Sequence, residues 1–276
     1  MKLALTPAIG TLLAVAAQTQ ICRAQMQDNR DKTLSCGNGY AGPGEQSRHC
    51  EIREQMLAAV GRLAVDPGRN GGVSIKGWLQ NQVLVRAKVE AWADTDSKAA
   101  LIASQVRVDA NTGQVSATAP ESQGQSGWAV SYEIFVPQVT DLDLKAYNGG
   151  ISISDVRGRL EFSAKNGGVT LKRVAGDVTG TTLNGGVHVE LAGSSWDGRQ
   201  LEVSTKNGGV TLALPERYSA HVRTETVNGA VRSDFAEAVP PLQPNVRSRS
   251  IDMTLGTGGP LIHVSTTNGG VTLKRL

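Results

Sequence analysis

From residue 142 onward, apolar and polar positions alternate in short runs that Asn-Gly-Gly interrupts at regular intervals. The unit reads Asn166-Gly167-Gly168-Val169-Thr170-Leu171 and returns at Asn70, Asn148, Asn184, Asn207, Asn228 and Asn268, with Asn228-Gly229-Ala230 departing in its second glycine. Aligned on the asparagine, Leu142, Leu160, Val178, Leu201, Val222 and Ile262 stand six residues before it, and Ile151, Val169, Val187, Val210, Val231 and Val271 three residues after it. Strand side chains alternate between faces, so both rows point to a core. Their sequence neighbours, Asp143, Glu161, Thr179, Glu202, Arg223 and His263 on one side and Ser152, Thr170, His188, Thr211, Arg232 and Thr272 on the other, point to water.

The asparagines from Asn148 are 18, 18, 23, 21 and 40 residues apart, the last step reading as two units. A period near twenty residues predicts stacked β units. Two all-β architectures compete: a parallel β-solenoid with one unit per coil, and an antiparallel β-meander or sandwich with Asn-Gly hairpins. The asparagine recurs while the intervening turns vary, and laddered amides between stacked coils reward that sameness, so the solenoid is the expected fold. Glycines after the asparagine are expected to supply a left-handed corner.

Upstream, Val83, Val85, Ala87, Val89 and Ala91 alternate along a strand, and residues 94–105 read as a helix capped at Asp94, Thr95 or Asp96. A hairpin across Asn111-Thr112-Gly113 and a strand from Trp128 to Val136 follow. These elements predict a β-rich cap over residues 51–137 that covers the first coil, and a repeat solenoid over residues 138–276. Val239-Pro240-Pro241 and Pro244 predict a bulging loop between Phe235 and Asn245.

The N-terminus changes the setting. Met1-Lys2, an apolar run from Leu3 to Ala17 broken by Pro7 and Gly10, and Cys22-Arg23-Ala24 read as a secretory signal peptide over residues 1–24. The competing reading is lipid attachment at Cys22, against which Thr19-Gln20-Ile21 lack small residues. Residues 25–50 read as a mobile tail and a loop closed by a disulfide between Cys36 and Cys50, in keeping with an exported chain. No integral membrane segment is expected once the signal is removed. Localisation is expected in the periplasm, at the cell surface or outside the cell.

Composition narrows the function. Apolar residues make up 39%, aromatics 4%, and glycine contributes 32 residues, so the core is thin and aliphatic. A net charge of +3 with scattered Lys and Arg gives no nucleic-acid or membrane patch. Asp143, Glu161 and Glu202 are the carboxylates to test for glycosidic chemistry, which needs a paired geometry or a basic partner. Their row turns basic, and a solvated strand face is the preferred reading. His49, His188, His221 and His263 lack ligand spacing, and the corners lack the recurring aspartate of calcium-binding repeats. Gly256-Thr257-Gly258-Gly259 precedes no helix and reads as a tight turn rather than a phosphate loop. No cofactor is expected. Ser152, Thr170, Thr211 and Thr272, four residues after their asparagines, with Ser163, Thr181, Ser204 and Ser265, three before, form a hydroxyl face able to bind glycans or ordered water, interrupted by His188 and Arg232 in the first row and by Lys145 and Glu225 in the second. Ordinary strand preference for Ser and Thr explains it as well.

The Asn-Gly-Gly-Val units, the Cys50-Glu51-Ile52-Arg53-Glu54 segment and the run from Trp128 to Asn148 together resemble an exported bacterial family of unknown function with β-strand repeats, labelled adhesin by prediction. The resemblance spans roughly Cys50 to Leu276. It implies a β-solenoid and an envelope or surface location, and transfers no catalytic residue. The expected function is therefore a non-enzymatic adhesin or scaffold module that binds an envelope or surface protein or glycan. A carbohydrate-active β-helix enzyme is the alternative. Because the chain stops directly after a complete unit, at Val271-Thr272-Leu273-Lys274-Arg275-Leu276, an open edge is expected there, with self-association or docking through the C-terminal strand.

Overall fold

The computed structural model describes residues 33–37, 46–111, 113–121, 124–235 and 248–276. The signal-peptide and Cys22 readings, most of the tail and most of the proline loop lie outside these residues. Residues 36–276 form one compact unit, and a disulfide joins Cys36 to Cys50 within it.

The chain begins with β1 (Ser47–Ala58), β2 (Arg62–Asp66), β3 (Val73–Trp78), β4 (Gln82–Ala93), helix α1 (Asp96–Gln105), β5 (Arg107–Asn111), β6 (Gln114–Thr118) and β7 (Gly127–Pro137). Strand pairs then alternate long and short around each Asn-Gly-Gly corner. They are β8 (Asp141–Asn148) with β9 (Ile151–Ser154), β10 (Arg157–Asn166) with β11 (Val169–Lys172), and β12 (Ala175–Asn184) with β13 (Val187–Glu190). Next come β14 (Gln200–Asn207) with β15 (Val210–Leu214) and β16 (Ala220–Asn228) with β17 (Val231–Ser233). An extra strand, β18 (Ser250–Leu255), precedes the last pair, β19 (Leu261–Asn268) with β20 (Val271–Arg275).

The short member of each such pair falls in one ten-stranded sheet, β1-β4-β7-β3-β9-β11-β13-β15-β20-β17, and the long member in another, β18-β16-β19-β14-β12-β10-β8-β2-β6-β5. Neighbouring coils pair in parallel and in register, Leu160 against Leu142 and Val178, and Val169 against Ile151 and Val187. The fold is therefore a two-sheeted parallel β-solenoid and not a meander. The two aligned apolar rows are buried, Leu142, Leu160, Val178, Leu201, Val222 and Ile262 at 1% exposure or less. Both sheets contribute to a single hydrophobic core.

The asparagines form one continuous ladder. The Nδ2 of Asn148 donates to the Oδ1 of Asn70 at 3.0 Å, and the series continues through Asn166, Asn184, Asn207, Asn268 and Asn228 at 2.7–2.9 Å. Five of the seven, from Asn166 to Asn228 along the ladder, are exposed, so each amide competes with water. Asn166→Ala is expected to cost about 1 kcal/mol, the net worth of a typical hydrogen bond. Urea denaturation beside Lys206→Ala measures it, and equal midpoints for the two would dismiss the ladder as a stabilising device.

The corner glycines are required for space more than for handedness. A Cβ on Gly167 would overlap the Gly149 carbonyl oxygen and lie 2.8 Å from the Gly150 nitrogen, and Gly185 meets Gly167 and Gly168 in the same way. Among these first glycines only Gly71, at φ +136°, is well inside the positive-φ range. Left-handed backbone occurs at the opposite corner instead, at Asp155 (φ 59°) and Arg173 (φ 50°), equivalent positions of successive coils. These two residues are joined by a bidentate ion pair with both contacts at 2.7 Å.

The order of coils along the stack is not their order in sequence. The C-terminal pair β19–β20 lies between β14–β15 and β16–β17, with Ile262 flanked by Leu201 and Val222. Among the described residues the forty-residue step thus contains no additional stacked unit; it carries the antiparallel β18 along the outer edge of β16 before the chain returns inward. The open C-terminal edge expected from sequence does not exist, because β20 is paired on both sides, by β15 and β17. Val271 and Leu273 are fully buried.

The N-terminal half repeats this topology. Coil β2–β3, carrying Asn70, is inserted between β6–β7 and β8–β9, so residues 51–137 hold stacked strands as well as covering ones. β4 and β1 extend the first sheet antiparallel beyond β7. Helix α1 starts on Thr95, whose side chain accepts from the Lys98 amide, and buries Ala99 and Ala103. Arg53 of β1 closes the other end, donating to the Ala103 carbonyl at 2.9 Å and to that of Val106.

Candidate functional site

With the core rows turned inward, the outer face of the long-strand sheet displays the residues one, three, five and seven positions before each asparagine. In stack order the row three before reads Lys145, Ser163, Thr181, Ser204, Ser265, Glu225. The row one before reads Tyr147, Lys165, Leu183, Lys206, Thr267, Val227. Between these two rows runs an open groove of about 730 Å³, with Ser163, Thr181, Ser204 and Ser265 along one wall and Lys165, Leu183 and Lys206 along the other. At the Asn148 end it continues into a recess of about 610 Å³ that shares Ser163 and Lys165 and adds Arg69, Lys145, Tyr147 and Asp66.

The groove floor is backbone, at a position whose side chains turn inward to the core. The position two before the asparagine is Ala164, Thr182, Thr205, Thr266 or Thr226, all small. The four threonines donate their hydroxyls to the first corner glycine of the preceding coil, Gly167, Gly185, Gly208 and Gly269, at 2.7–2.8 Å. Each hydroxyl thereby satisfies a corner carbonyl and fixes the floor. Sequence reasoning misses this column, although threonine recurring at a core-facing position is the signal that reveals it.

The remaining candidates are occupied by one another. Asp143 pairs with Arg62 at 2.9 Å, Glu161 with Arg159 at 2.7 Å, and Glu202 lies 3.9 Å from His263, whose other nitrogen meets Glu225 at 3.2 Å. His221 meets Asp252 at 2.6 Å, and that hydrogen bond holds the Asp252 carboxyl below the usual range. His49 and His188 stand 4.0 Å from Glu51 and Glu190. Among the described residues no group of three or more His, Cys, Asp or Glu side chains is placed to hold a metal ion. Gly256 and Gly258 adopt positive φ, and the Gly258 amide donates to the Leu255 carbonyl at 2.9 Å, which makes this segment the turn into β19. No helix among the described residues is long and apolar enough to cross a membrane.

The groove differs from the rest of this face in its cations. Arg62, Arg159 and Arg199 are engaged by carboxylates, whereas Arg69, Lys145, Lys165 and Lys206 are exposed and lie in no ion pair among the described residues. Lys165 donates to the Tyr147 hydroxyl at 2.7 Å and sits 4.3 Å from its ring centroid. That hydrogen bond, and then the charge behind it, lowers the Tyr147 pKa.

A two-sheeted parallel solenoid bearing an open polar groove, with Asp143 and Glu161 of the carboxylate row paired to arginines, belongs to the class of repetitive β scaffolds that present a surface. The chain belongs to the Toastrack DUF4097 family, whose profile matches residues 63–274. No curated protein matches it in sequence. Among solved structures it is similar to a "putative cell adhesion protein" from Clostridium sporogenes, with 13% identity, 83% of this chain and 100% of the other covered, and a TM-score of 0.42. A "putative adhesin" from Bacteroides fragilis has 10% identity over 83% of this chain and 97% of its own, with a TM-score of 0.31. A "putative lipid binding protein" from Parabacteroides distasonis has 10% identity over 81% and 96%, with a TM-score of 0.29.

Proposed function

We propose that the protein is an exported, non-enzymatic binding module of the bacterial cell envelope, adhesin-like in role, which holds a surface protein or glycan on the outer face of its long-strand sheet. The groove between the hydroxyl row and the Lys165–Leu183–Lys206 row carries this reading. A solenoid whose coils pair backbone to backbone offers a rigid face at little ordering cost, which suits binding. The Cys36–Cys50 disulfide supports an oxidising location. Against the alternative, a carbohydrate-active enzyme, stands the pairing of Asp143 and Glu161 with arginines, which occupies both carboxylates.

Cell fractionation followed by retention of envelope material on the purified chain tests the proposal. Filling the groove with Thr181→Trp and Ser204→Trp is expected to abolish retention while leaving the denaturation midpoint in place. Incubation with envelope and plant polysaccharides is expected to yield no new reducing ends. Turnover that disappears in Glu161→Ala or Glu202→Ala would replace this reading with the enzyme.

A further inference from the structure

The groove's dimensions and charges define a ligand class more narrowly. Lys165 and Lys206 hold the same position on β10 and β14, separated by β12, so their attachment points are two strand spacings, about 9.6 Å, apart. Arg69 continues the lysine wall toward the Asn70 end, and Lys145 stands opposite, at the end of the hydroxyl row. Between the lysines the wall presents apolar Leu183, and beyond Lys165 the exposed ring of Tyr147. Opposite them, Ser163, Thr181, Ser204 and Ser265 place one hydroxyl per coil at the strand repeat. Hydroxyls therefore line one wall and cations with apolar surface the other, with a spacing close to the advance of one sugar in an extended chain for the hydroxyls and two sugars for the lysines.

We propose that this groove binds a linear anionic polysaccharide laid along the stacking axis, its acidic groups on Lys145, Lys165 and Lys206, its hydroxyls on the serine and threonine row. The proposal rests on the binding-module reading above and specifies its ligand. Several observations favour this occupant over other polyanions. The cations are few and spaced by one or two strands, whereas duplex DNA carries about one charge per 1.7 Å. Asp66 and Glu225 close the two ends of the line, so the positive field is confined to the groove. The row of Asp143, Glu161 and Glu202 lies beyond the hydroxyl wall, outside the groove lining, with Arg62, Arg159 and His263 beside it. An added peptide strand would need a sheet edge, and this is a sheet face.

The test uses the purified full chain with polygalacturonate, neutral dextran and duplex DNA as probes, each titrated at low and high salt, together with the envelope-retention assay. Expected are binding of polygalacturonate that weakens with salt, no binding of dextran, and a loss of about tenfold for each of Lys165→Gln and Lys206→Gln. Lys172→Gln, on the other sheet, should change nothing. Dextran bound as well as polygalacturonate, with the lysine variants unaffected, would overturn the anionic class while leaving the groove as a glycan site. DNA bound as tightly as polygalacturonate would overturn it as well, because a general field would then suffice. Envelope retention unchanged by Thr181→Trp and Ser204→Trp would instead remove the groove, and with it the reading on which the proposal stands.

Discussion

Gly167→Ala is expected to lower stability by about 3 kcal/mol or more, far beyond what helix- or strand-propensity arguments assign to this exchange. The added methyl would overlap the backbone of Gly149 and Gly150 in the preceding coil. Backbone in register on both sides cannot move aside without breaking the pairs Asn148–Asn166 and Ile151–Val169. The adjacent Gly168→Ala faces the following coil, where its Cβ would lie 3.3 Å from the Gly186 oxygen, a contact relieved by a few tenths of an ångström. Its expected cost is about 1 kcal/mol. Urea denaturation of the two variants gives the comparison directly. Equal midpoints would show that the corners flex and that glycine recurs there for another reason.

The same asymmetry makes one irregularity in the sequence intelligible. First glycines face the preceding coil and second glycines the following one; Gly270 would meet Ala230 at 3.3 Å, while the short-strand sheet ends at β17. Ala230 therefore stands where, among the described residues, no further coil limits it, and Asn228-Gly229-Ala230 marks the end of the described stack. Gly229 still faces Gly269 and, with a Cβ, would lie 2.9 Å from the Thr226 hydroxyl. The order of the coils was thus written in a single residue. Simple succession of repeats hides it, because strand periodicity records which face a residue occupies and not which neighbour it meets.

What periodicity does record was legible. Rows such as Leu142, Leu160 and Val178 identify the core, and the asparagines identify one corner, because both depend on a residue's own position within its coil. The left-handed corner was misplaced for a related reason. Glycine implies either positive φ or lack of room, and only the neighbouring coil shows that room is what Gly167 lacks, while Asp155 and Arg173 carry the positive φ. The groove was half visible. Its hydroxyl wall could be read as a row, but Lys165 and Lys206 acquire meaning only beside Leu183 and opposite Thr181, and only once paired arginines elsewhere on the face set off two lysines that lie in no ion pair among the described residues.

Deleting residues 261–276 is expected to do more than shorten the solenoid by one coil. In an array stacked in sequence order the last coil is the outermost and its loss exposes one new surface. Here β19 and β20 separate β14–β15 from β16–β17, so among the described residues deletion removes the strand pairing of β17, whose Val231 amide keeps only the Ser248 carbonyl, and leaves β16 paired only with β18. It also uncovers Leu201, Leu212, Val222 and Val231, all now buried. A two-stranded ribbon is at best marginally stable alone, so the amides of β16, β17 and β18 should exchange as in an unfolded chain. Those of β10–β13 should keep their protection, since their coils retain both neighbours. Hydrogen exchange read by mass spectrometry distinguishes these segments. Retained protection in β16 and β17 would mean that the Asn228 coil slides inward onto β14 and β15 in the same register, and the fixed order of the last two coils would then owe nothing to the connecting segments.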